Sequence, residues 1–368
     1  MKNIALIGSC GSIGRQVLRV VKNHPDRFRI VALVSGSPSE KFEKQLREFK
    51  PEYSALAAVD NEGALRAAEL DCADVIFNAA GGFAGLEYSL RAAKSGKVLA
   101  LANKESLVCG GDLLMLEIAG RGSRIVPVDS EHSAIWQCMN FRMDIPVRRL
   151  IITASGGAFR GRSLEELQDV TPEQALNHPT WKMGKKITVD SATLLNKGYE
   201  VIEAHALYGT PYCDIHTVIQ PQSIVHSMVE FADGAILAQL SYPTMELPIQ
   251  LALTYPERLS CELPSMEFTK AFSIGFEPLE RKNYPMYDLA LKCGEAGGIL
   301  PCALNAADEI AVGAFLEKRI TYPDIFAVVE GVISATENER VTDFEQLVEV
   351  DRISRNMAEK IISKINQM

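Results

Sequence analysis

Short apolar runs alternate with amphipathic stretches along the first third of the chain. The apolar runs lie at positions 4–7, 30–34, 55–59, 75–78, 98–102 and 125–128, and apolar residues recur with helical spacing at 13–23, 41–49 and 86–95. Continuous apolar strands separated by amphipathic helices predict a parallel sheet that is covered on both faces. Residues 1–128 are therefore predicted to form a Rossmann-like, doubly wound domain of the α/β class.

The pattern changes after residue 128. An apolar run at 150–153 is followed by the weakly periodic segment 155–186, and long irregular segments in compact domains are often functional lids. Further on, the pattern predicts a helix at 191–208 and a β-hairpin with strands at 225–231 and 235–241. Residues 129–254 are thus predicted to form an α+β domain with a lid at about 155–186.

The last part of the chain is predicted to be helical. Residues 255–280 contain prolines and show little periodicity, which predicts a linker. In 281–368 the pattern predicts helices at 303–317, 323–336 and 344–366. Thr321 and the pair Thr342 and Asp343 precede two of these helices and are predicted to cap them. Residues 281–368 are therefore predicted to form a C-terminal α-helical domain.

Length, charge and cysteine usage narrow the class of protein. The chain has 368 residues, more than one hydrophobic core usually supports, and a net charge of −9. This charge argues against nucleic acid or an anionic membrane as a partner. The N-terminus passes directly into a strand pattern, and no apolar run reaches the ~18 residues of a membrane span. The eight cysteines form no CxxC pair, and those in apolar runs (Cys72, Cys109, Cys138 and Cys293) are interpreted as buried thiols. We therefore expect a cytoplasmic protein.

A glycine-rich turn joins the first predicted strand to the first predicted helix. It contains Gly8, Gly11 and Gly14 in the spacing GxxGxxG. Glycines at such a turn let the backbone approach a pyrophosphate, whose charge then lies at the helix N-terminus. The turn between strand and helix predicts dinucleotide binding, and the alternative is a tight turn with a purely structural role.

The end of the second predicted strand bears on the choice of dinucleotide. It reads Val34, Ser35, Gly36, Ser37, Pro38, without the Asp or Glu that binds the ribose 2′-hydroxyl of NAD. No carboxylate there would repel a 2′-phosphate, so NADPH is favoured. The alternative, that Ser-Gly-Ser is simply a turn, stays open.

Two carboxylates follow the apolar run at 125–128. If this segment is extended, Asp129 and Glu131 share one face, because side chains alternate along a strand. Two adjacent carboxylates repel each other unless a cation lies between them, and hard oxygen ligands select Mg²⁺ or Mn²⁺. The alternative is a helix N-terminus with acidic residues in its first turn.

Two further polar groups are candidates for a site. Asn196, Lys197 and Glu200 lie within one turn of the helix predicted at 191–208, and Ser191 near its start would suit a phosphate. The alternative is an ion-paired surface helix. Lys104, in the string Asn103 to Ser106 after the strand at 98–102, lies at the sheet edge where a nicotinamide would bind, or in an ordinary exposed turn.

Six longer strings resemble the 1-deoxy-D-xylulose 5-phosphate reductoisomerase family. They are GSCGSIG at 8–14, LANKES at 101–106, VDSEHSAIWQ at 128–137, TASGGAFR at 153–160, NHPTWKMGKKITVDSATLLNKGYEVIEAH at 177–205 and IQPQSIVHSMVEFADG at 219–234. They follow one another in the order typical of the family, so the resemblance covers essentially the full length. The string at 177–205 is highly specific.

The resemblance implies a role for individual residues. Asp129, Glu131 and Glu200 are implied to be the ligands of Mg²⁺ or Mn²⁺. Together with Lys104 they would form the catalytic group. The substrate phosphate would be bound by Ser155, Ser191, Asn196 and Lys197, with His178 also at the substrate and Trp181 closing over it beside Met183 in the lid. Lys104, Ser130 and Glu131 would contact substrate hydroxyl and carbonyl groups, and Glu200 would also lie at the substrate. Cofactor contacts are implied for Cys10, Gly11, Ser12, Ile13, Gly36, Asn103, Glu105 and Gly184. His132 and His226 would lie near the site.

The resemblance also implies the reaction. It is an NADPH-dependent and metal-dependent rearrangement and reduction of 1-deoxy-D-xylulose 5-phosphate to 2-C-methyl-D-erythritol 4-phosphate, by a homodimer with residues 129–254 as the catalytic domain. One alternative is an NADP-dependent dehydrogenase that acts without skeletal rearrangement, and another is a non-enzymatic NADPH sensor. The chain departs from the family at Cys10, where Thr is frequent, and at Ser37, where a basic residue is frequent, and the second difference concerns the grip on the 2′-phosphate.

Overall fold

The computed structural model describes residues 1–264 and 266–367, and these residues pack into two compact units. Unit 1 comprises Met1–Leu107, Gly111–Ser133 and Thr244–Leu263. Unit 2 comprises Val108–Gly110, Ala134–Pro243 and the described residues of Pro264–Met368. The domain boundaries given above from the sequence stay a prediction.

The helices and strands follow one another in this order. The strands are β1 Lys2–Ile7, β2 Phe28–Ser35, β3 Tyr53–Leu56, β4 Val75–Asn78, β5 Val98–Leu101, β6 Arg124–Pro127, β7 Val147–Ala154, β8 Ile215–Ile219, β9 Val225–Phe231, β10 Ile236–Leu240 and β11 Glu277–Pro278. The helices are α1 Ser12–Asn23, α2 Glu40–Phe49, α3 Asn61–Arg66, α4 Gly85–Lys94, α5 Glu105–Arg121, α6 Ser130–Cys138, α7 Pro172–Ala175, α8 Lys185–Thr193, α9 Leu195–Tyr208, α10 Glu246–Thr254, α11 Pro285–Ala296, α12 Leu300–Leu316, α13 Tyr322–Ser334 and α14 Phe344–Ile365.

Unit 1 contains the predicted parallel sheet. Within the described residues its strand order is β3-β2-β1-β4-β5-β6, and every pair is parallel. The register pairs Ile7 with Asn78, Asn78 with Leu101, and Leu101 with Pro127, so β1, β4, β5 and β6 end at one edge. The strand order reverses direction between β1 and β4, and ligands of such sheets bind beyond the strand ends at that point. The α/β fold with a Rossmann-like sheet is confirmed.

The apolar pattern did not predict the end of one strand or the presence of one buried helix in unit 1. Strand β3 ends at Leu56 rather than at 59, because residues 57–60 form a turn and the Asp60 side chain accepts from the Gly63 amide at 2.8 Å as the cap of α3. Helix α10, in contact with α1, was missed since residues 248–254 are all buried and show no polar face.

Unit 2 contains a mixed sheet and the C-terminal helices. Among the described residues the sheet order is β10-β9-β7-β8-β11, in which only β7 and β8 are parallel. The predicted hairpin is confirmed as β9 and β10. The predicted caps are also confirmed: Thr321 forms a capping box with Asp324, and Asp343 accepts from the Gln346 amide at 2.8 Å. Helix α11 was not predicted, whereas the three last predicted helices are present as α12, α13 and α14.

The predicted helix at 191–208 is in fact two helices. Leu194 has φ +57°, which ends α8 and begins α9. Because a left-handed residue interrupts the helical hydrogen bonds, α8 lies before Leu194 and contains Ser191 in its last turn. The expectation that Ser191 lies near a helix start was therefore wrong.

None of the eight cysteines, all of which are described, takes part in a disulfide, and Cys109 and Cys293 are buried. Cys72 is exposed, so its interpretation as a buried thiol was wrong. Among the described helices, none combines the length and the apolar character that a membrane crossing requires.

Candidate active site

The glycine turn after β1 fits the close approach of a phosphate group. Gly8 has φ +78°, and a Cβ there would lie 2.3 Å from the Ala79 carbonyl oxygen. A Cβ at Gly14 would lie 2.3 Å from the Gly8 carbonyl oxygen. The turn therefore needs both glycines, because any larger residue would push the backbone outward. It leads into the N-terminus of α1, and the four predicted cofactor contacts there are all exposed or half-buried: Cys10, Gly11, Ser12 and Ile13.

Asn103 connects two loops at the carboxyl edge of the sheet. Its side-chain amide donates to the carbonyl oxygens of Ala80 at 3.1 Å and Gly82 at 3.0 Å, and to the Glu105 carboxylate at 2.7 Å. Its side-chain oxygen accepts from the Ser106 amide at 3.0 Å. A buried amide that uses both its donors and its acceptor holds the loop after β4 against the start of α5. The next residue along, Lys104, thereby has a defined position.

Lys104 and the acidic segment after β6 form one charged group. The Lys104 ammonium pairs with the Asp129 carboxylate, since β5 and β6 are neighbours that end together. The hydroxyl of Ser130 donates to the Glu131 carboxylate at 2.5 Å. One oxygen of Asp129 and one of Glu131 lie within 4.8 Å of each other. Hard oxygen ligands at such a separation fit Mg²⁺ or Mn²⁺.

The local geometry of this acidic segment differs from the extended one that the sequence suggested. Helix α6 begins at Ser130, and the Ser133 amide donates to the Asp129 carbonyl at 2.8 Å. The alternative of acidic residues at a helix N-terminus is thus correct for the backbone. A helical backbone does not exclude a cation site, because the Asp129 and Glu131 carboxylates still lie close together. Lys104, which follows β5, provides a positive charge beside Asp129.

In unit 2, α9 holds a buried charged group in its first two turns. The Asn196 amide donates to one Glu200 oxygen at 2.6 Å, and the Lys197 ammonium contacts the other at 2.5 Å. The side chains of Lys197 and Glu200 are 6% and 1% exposed. The alternative of a surface ion pair is therefore wrong. Removing two charged groups from water costs free energy. Charged groups that are buried in spite of this cost are candidates for a functional site.

His178 and Ser155 form a second polar pair in unit 2. The Nδ1 atom of His178 accepts from the amides of Thr180 at 3.2 Å and Trp181 at 3.0 Å, which leaves the proton of the neutral ring on Nε2. That Nε2–H lies 3.0 Å from the Ser155 hydroxyl oxygen and donates to it. Burial, with a contribution from the Lys197 charge, lowers the pKa of His178 to about 4. The ring is therefore neutral at pH 7.

The loop after β7 packs closely on the end of α8. Gly157 has φ +69°, and a Cβ there would lie 2.4 Å from the Ser191 carbonyl oxygen. Ser155 and Ser191 therefore belong to one region of unit 2, together with His178. In the segment predicted to be the lid, the Trp181 ring meets the His226 ring at a centroid distance of 6.0 Å. Gly184 is the N-terminal cap position of α8.

Sequence reasoning did not identify a buried charged cluster behind this region. The Lys186 ammonium contacts Asp190 at 2.7 Å and Asp308 at 2.6 Å, and it lies 5.3 Å from the centroid of the Tyr199 ring. Lys186 and Asp190 are four residues apart, a spacing that could have suggested a helical pair. Asp308 lies on α12, and nothing in the local sequence indicated it.

The predicted site residues thus fall into two groups. Unit 1 contains Cys10, Gly11, Ser12, Ile13, Gly36, Asn103, Lys104, Glu105, Asp129, Ser130 and Glu131, and unit 2 contains Ser155, His178, Trp181, Gly184, Ser191, Asn196, Lys197 and Glu200. Each group is coherent within its own unit. The binding of one metal ion by Glu200 together with Asp129 and Glu131 stays a prediction.

A Rossmann-like sheet with a phosphate-binding glycine turn, and polar residues beyond its strand ends, define a dinucleotide-dependent enzyme. Models of 1-deoxy-D-xylulose 5-phosphate reductoisomerase match residues 4–61 and 54–111, and models described as its C-terminal domains match 125–208 and 240–357. The reductoisomerase of Thermodesulfovibrio yellowstonii is 43% identical over 99% of this chain and 100% of its own length. The reductoisomerase of Pelotomaculum thermopropionicum is 45% identical over 98% of this chain and 99% of its own length. The chain belongs to the 1-deoxy-D-xylulose 5-phosphate reductoisomerase family.

Solved structures of the family are similar along the whole chain. One, a DOX-P reductoisomerase in complex with NADPH, fosmidomycin and magnesium, has a TM-score of 0.91 and 34% identity and covers 100% of both chains. The Zymomonas mobilis reductoisomerase in complex with NADPH has a TM-score of 0.88 and 36% identity, covering 98% of this chain and 99% of its own. The resemblance seen in the sequence is confirmed.

Proposed function

We propose that the chain converts 1-deoxy-D-xylulose 5-phosphate to 2-C-methyl-D-erythritol 4-phosphate with NADPH and Mg²⁺ or Mn²⁺. The main support is the buried group of Asn196, Lys197 and Glu200, which lies in the stretch 125–208 that matches a family model. A plain dehydrogenase needs no such additional buried carboxylate. Relatives of known structure bind NADPH and magnesium, and these ligands are part of the proposal.

The residues of unit 1 would hold the cofactor and part of the metal site. The glycine turn and the α1 N-terminus receive the pyrophosphate. Asn103 fixes the loop beside the nicotinamide, and Glu105 is held by the Asn103 amide. Asp129 and Glu131 supply hard oxygen ligands, with Glu200 from unit 2 as the third. When bound, the cation polarises a substrate carbonyl and NADPH supplies the hydride.

The residues of unit 2 would bind the substrate phosphate. Ser155 Oγ accepts from His178 Nε2–H and from the Gly157 amide at 3.2 Å, so its own hydroxyl proton is left to donate to a phosphate oxygen. A neutral His178 keeps this arrangement at pH 7. Lys197 adds positive charge, and Ser191 and Asn196 add donors. Trp181 would cover the bound substrate and exclude water.

The activity is tested with the purified protein. 1-Deoxy-D-xylulose 5-phosphate, NADPH and Mg²⁺ are mixed with it, the nicotinamide absorbance is followed, and the product is analysed by NMR. We expect NADPH oxidation that requires both substrate and metal and stops with a chelator, with a product of rearranged carbon skeleton. A reduced product with an unrearranged skeleton would instead favour an NADP-dependent dehydrogenase.

Single substitutions test the residue roles. Asp129→Asn and Glu200→Gln should abolish turnover and leave NADPH binding nearly intact, because each removes a metal ligand. Lys197→Ala should mainly raise the KM for the substrate. Glu317→Gln, at a side chain that is 67% exposed, serves as the control. Wild-type turnover in either carboxylate variant at saturating metal would refute the ligand assignment.

We further propose that the protein acts as a cytoplasmic homodimer. Strand β10 lies at the edge of the unit 2 sheet, and its residues Ile236 and Leu237 are 53% and 50% exposed. Exposed apolar residues on an edge strand are suited to pairing with a second chain. A second copy is the simplest occupant, because most oligomers of soluble proteins are symmetric homodimers.

A further inference from the structure

The turns after β1 and β2 meet at the open end of the sheet. The amides of Gly8 and Ser9 both donate to the Val34 carbonyl at 2.9 Å. The Cys10 sulfur lies 3.8 Å from the Ser39 hydroxyl oxygen, at the start of α2. We use the name loop crevice for the space bordered by Cys10 and residues 36–39, all of which are exposed or half-buried. In a dinucleotide-binding sheet, the adenosine ribose lies between these two turns.

The loop crevice accepts a phosphate only if it also contains a cation. Residues 35–39 include Ser35, Ser37 and Ser39 and no carboxylate, so nothing in this turn selects for a ribose hydroxyl over a phosphate. Serine hydroxyls can donate to phosphate oxygens but do not balance a charge near −2. Enzymes that bind NADP place an arginine near this position for that purpose.

Arg15 is the basic side chain of α1 that contacts the turn after β1, on the Cys10 side of the loop crevice. Its Nη1 atom donates to the Cys10 carbonyl oxygen at 3.0 Å, and the residue is exposed. Within residues 1–264 and 266–367, Arg15 has no carboxylate within ion-pair distance. The other α1 cations differ: Arg19 pairs with Glu246 at 2.8 Å, and Lys22 pairs with Glu48. A guanidinium has five N–H donors, so Arg15 can donate to a phosphate while it also donates to the Cys10 carbonyl.

We infer that Arg15 binds the 2′-phosphate of NADPH and sets the preference of the enzyme for NADPH over NADH. The inference deepens the proposed function and rests on it. Lys41 is the competing cation, since it is exposed and lies on the first turn of α2. That turn also contains Glu40 and Glu43, whose negative charges weaken the field of Lys41 at a phosphate. Arg15 has no such acidic neighbours in the first turn of α1.

Nucleotide binding tests this role without any turnover. Affinities for 2′,5′-ADP and for 5′-AMP, which differ only in the 2′-phosphate, are measured by calorimetry. The proteins are wild type, Arg15→Gln, Arg15→Lys, Arg19→Gln and Lys41→Gln. We expect Arg15→Gln to weaken the binding of 2′,5′-ADP by about 10- to 100-fold, the range typical of a charged hydrogen bond. The binding of 5′-AMP should change much less. Arg15→Lys should lose less affinity for 2′,5′-ADP, because it keeps the positive charge. Arg19→Gln should bind both nucleotides with wild-type affinity.

The ratio of kcat/KM for NADPH to that for NADH provides the second readout. It should fall by about tenfold or more in Arg15→Gln. Equal losses for 2′,5′-ADP and 5′-AMP would show that Arg15 only supports the loop, and this would overturn the inference. An unchanged preference in Arg15→Gln, or a collapse of the preference in Lys41→Gln, would overturn it as well. Failure of wild type to reduce the sugar phosphate would refute the proposed function, whereas the nucleotide affinities would still decide the role of Arg15.

Discussion

At the scale of single residues, His178 shows how a side chain obtains its role from its neighbours. Two backbone amides occupy Nδ1, and burial together with the Lys197 charge disfavours the imidazolium. The ring therefore acts as a neutral donor toward Ser155. A protonated ring would have no acceptor for the Thr180 and Trp181 amides, so the hydrogen bonds and the low pKa support each other.

The low pKa of His178 predicts a loss of stability in acid. The pKa is 6.5 in the unfolded chain and about 4 in the folded one, so the unfolded state binds the proton more readily between these values. This part of the stability is complete above pH 6.5 and is lost as the pH falls from 6.5 to about 4. We expect the Tm of His178→Gln to fall less over this range than that of wild type. His216→Gln, at an exposed histidine, is the control. Parallel Tm curves for His178→Gln and wild type would contradict the prediction.

Gly157 and Gly161 separate backbone strain from steric overlap. Both have positive φ, +69° and +82°, but only Gly157 has an atom in the path of a Cβ, the Ser191 carbonyl oxygen at 2.4 Å. Gly161→Ala should cost about 1 kcal/mol from backbone strain alone. Gly157→Ala should cost at least about 1 to 3 kcal/mol more and should raise the KM for the substrate, because Ser191 is displaced. Urea unfolding and steady-state kinetics measure these effects, and equal losses in the two variants would refute the packing argument.

At the scale of elements, the break between α8 and α9 organises the substrate region. Leu194, with φ +57°, ends α8 so that Ser191 lies in its last turn, and α9 then presents Lys197 and Glu200 in its first two turns. Gly198 lets α9 approach α11 closely, since a Cβ there would lie 2.5 Å from the Ala290 Cβ. Close packing on α11 at Gly198 therefore helps to set the position of α9.

A buried ion cluster connects α8 to α12. Asp308 is fully buried, and burial raises its pKa whereas the Lys186 charge opposes the rise. Removing Asp308 takes away one of the two carboxylates that contact the Lys186 ammonium. We expect Asp308→Ala to lower the free energy of unfolding by about 2 kcal/mol, less than for a fully buried pair because the Lys186 side chain is 31% exposed.

The control for this cluster is Asp169→Ala, at an exposed aspartate of the same unit. Its effect should stay within about 0.5 kcal/mol, as is usual for surface sites. Urea unfolding of the two variants gives the comparison. If both variants unfold at the same urea concentration as wild type, the cluster does not hold α8 and α12 together.

At the scale of the whole molecule, the edge strand β10 predicts the oligomeric state. We expect sedimentation to give about twice the chain mass of 40.4 kDa. Leu237→Lys, which places a charge on the exposed apolar edge, should shift the mass toward that of one chain. Ile353→Lys, at a site on α14 that is 44% exposed, should not. A wild-type protein that sediments as one chain would refute the dimer.

Local interactions made much of the fold and part of the site predictable. Strands β1, β4 and β6 of the parallel sheet are mostly buried, so their continuous apolar runs and the helices between them could be recognised directly. The glycine turn was equally evident, because its need for glycine arises within a few residues. The contact of Asn196 with Glu200 follows from helical spacing alone.

The sequence by itself therefore determined the α/β class, the dinucleotide turn and the charged group on α9. Only the tertiary structure decided that α10 is buried against α1, that Ser191 lies in the last turn of a helix and that Asp308 contacts Lys186. Periodicity reports on neighbours a few residues apart, whereas these contacts join residues from distant parts of the chain or depend on one left-handed residue at a helix end. Such contacts exist only once the chain has packed, and no local pattern encodes them.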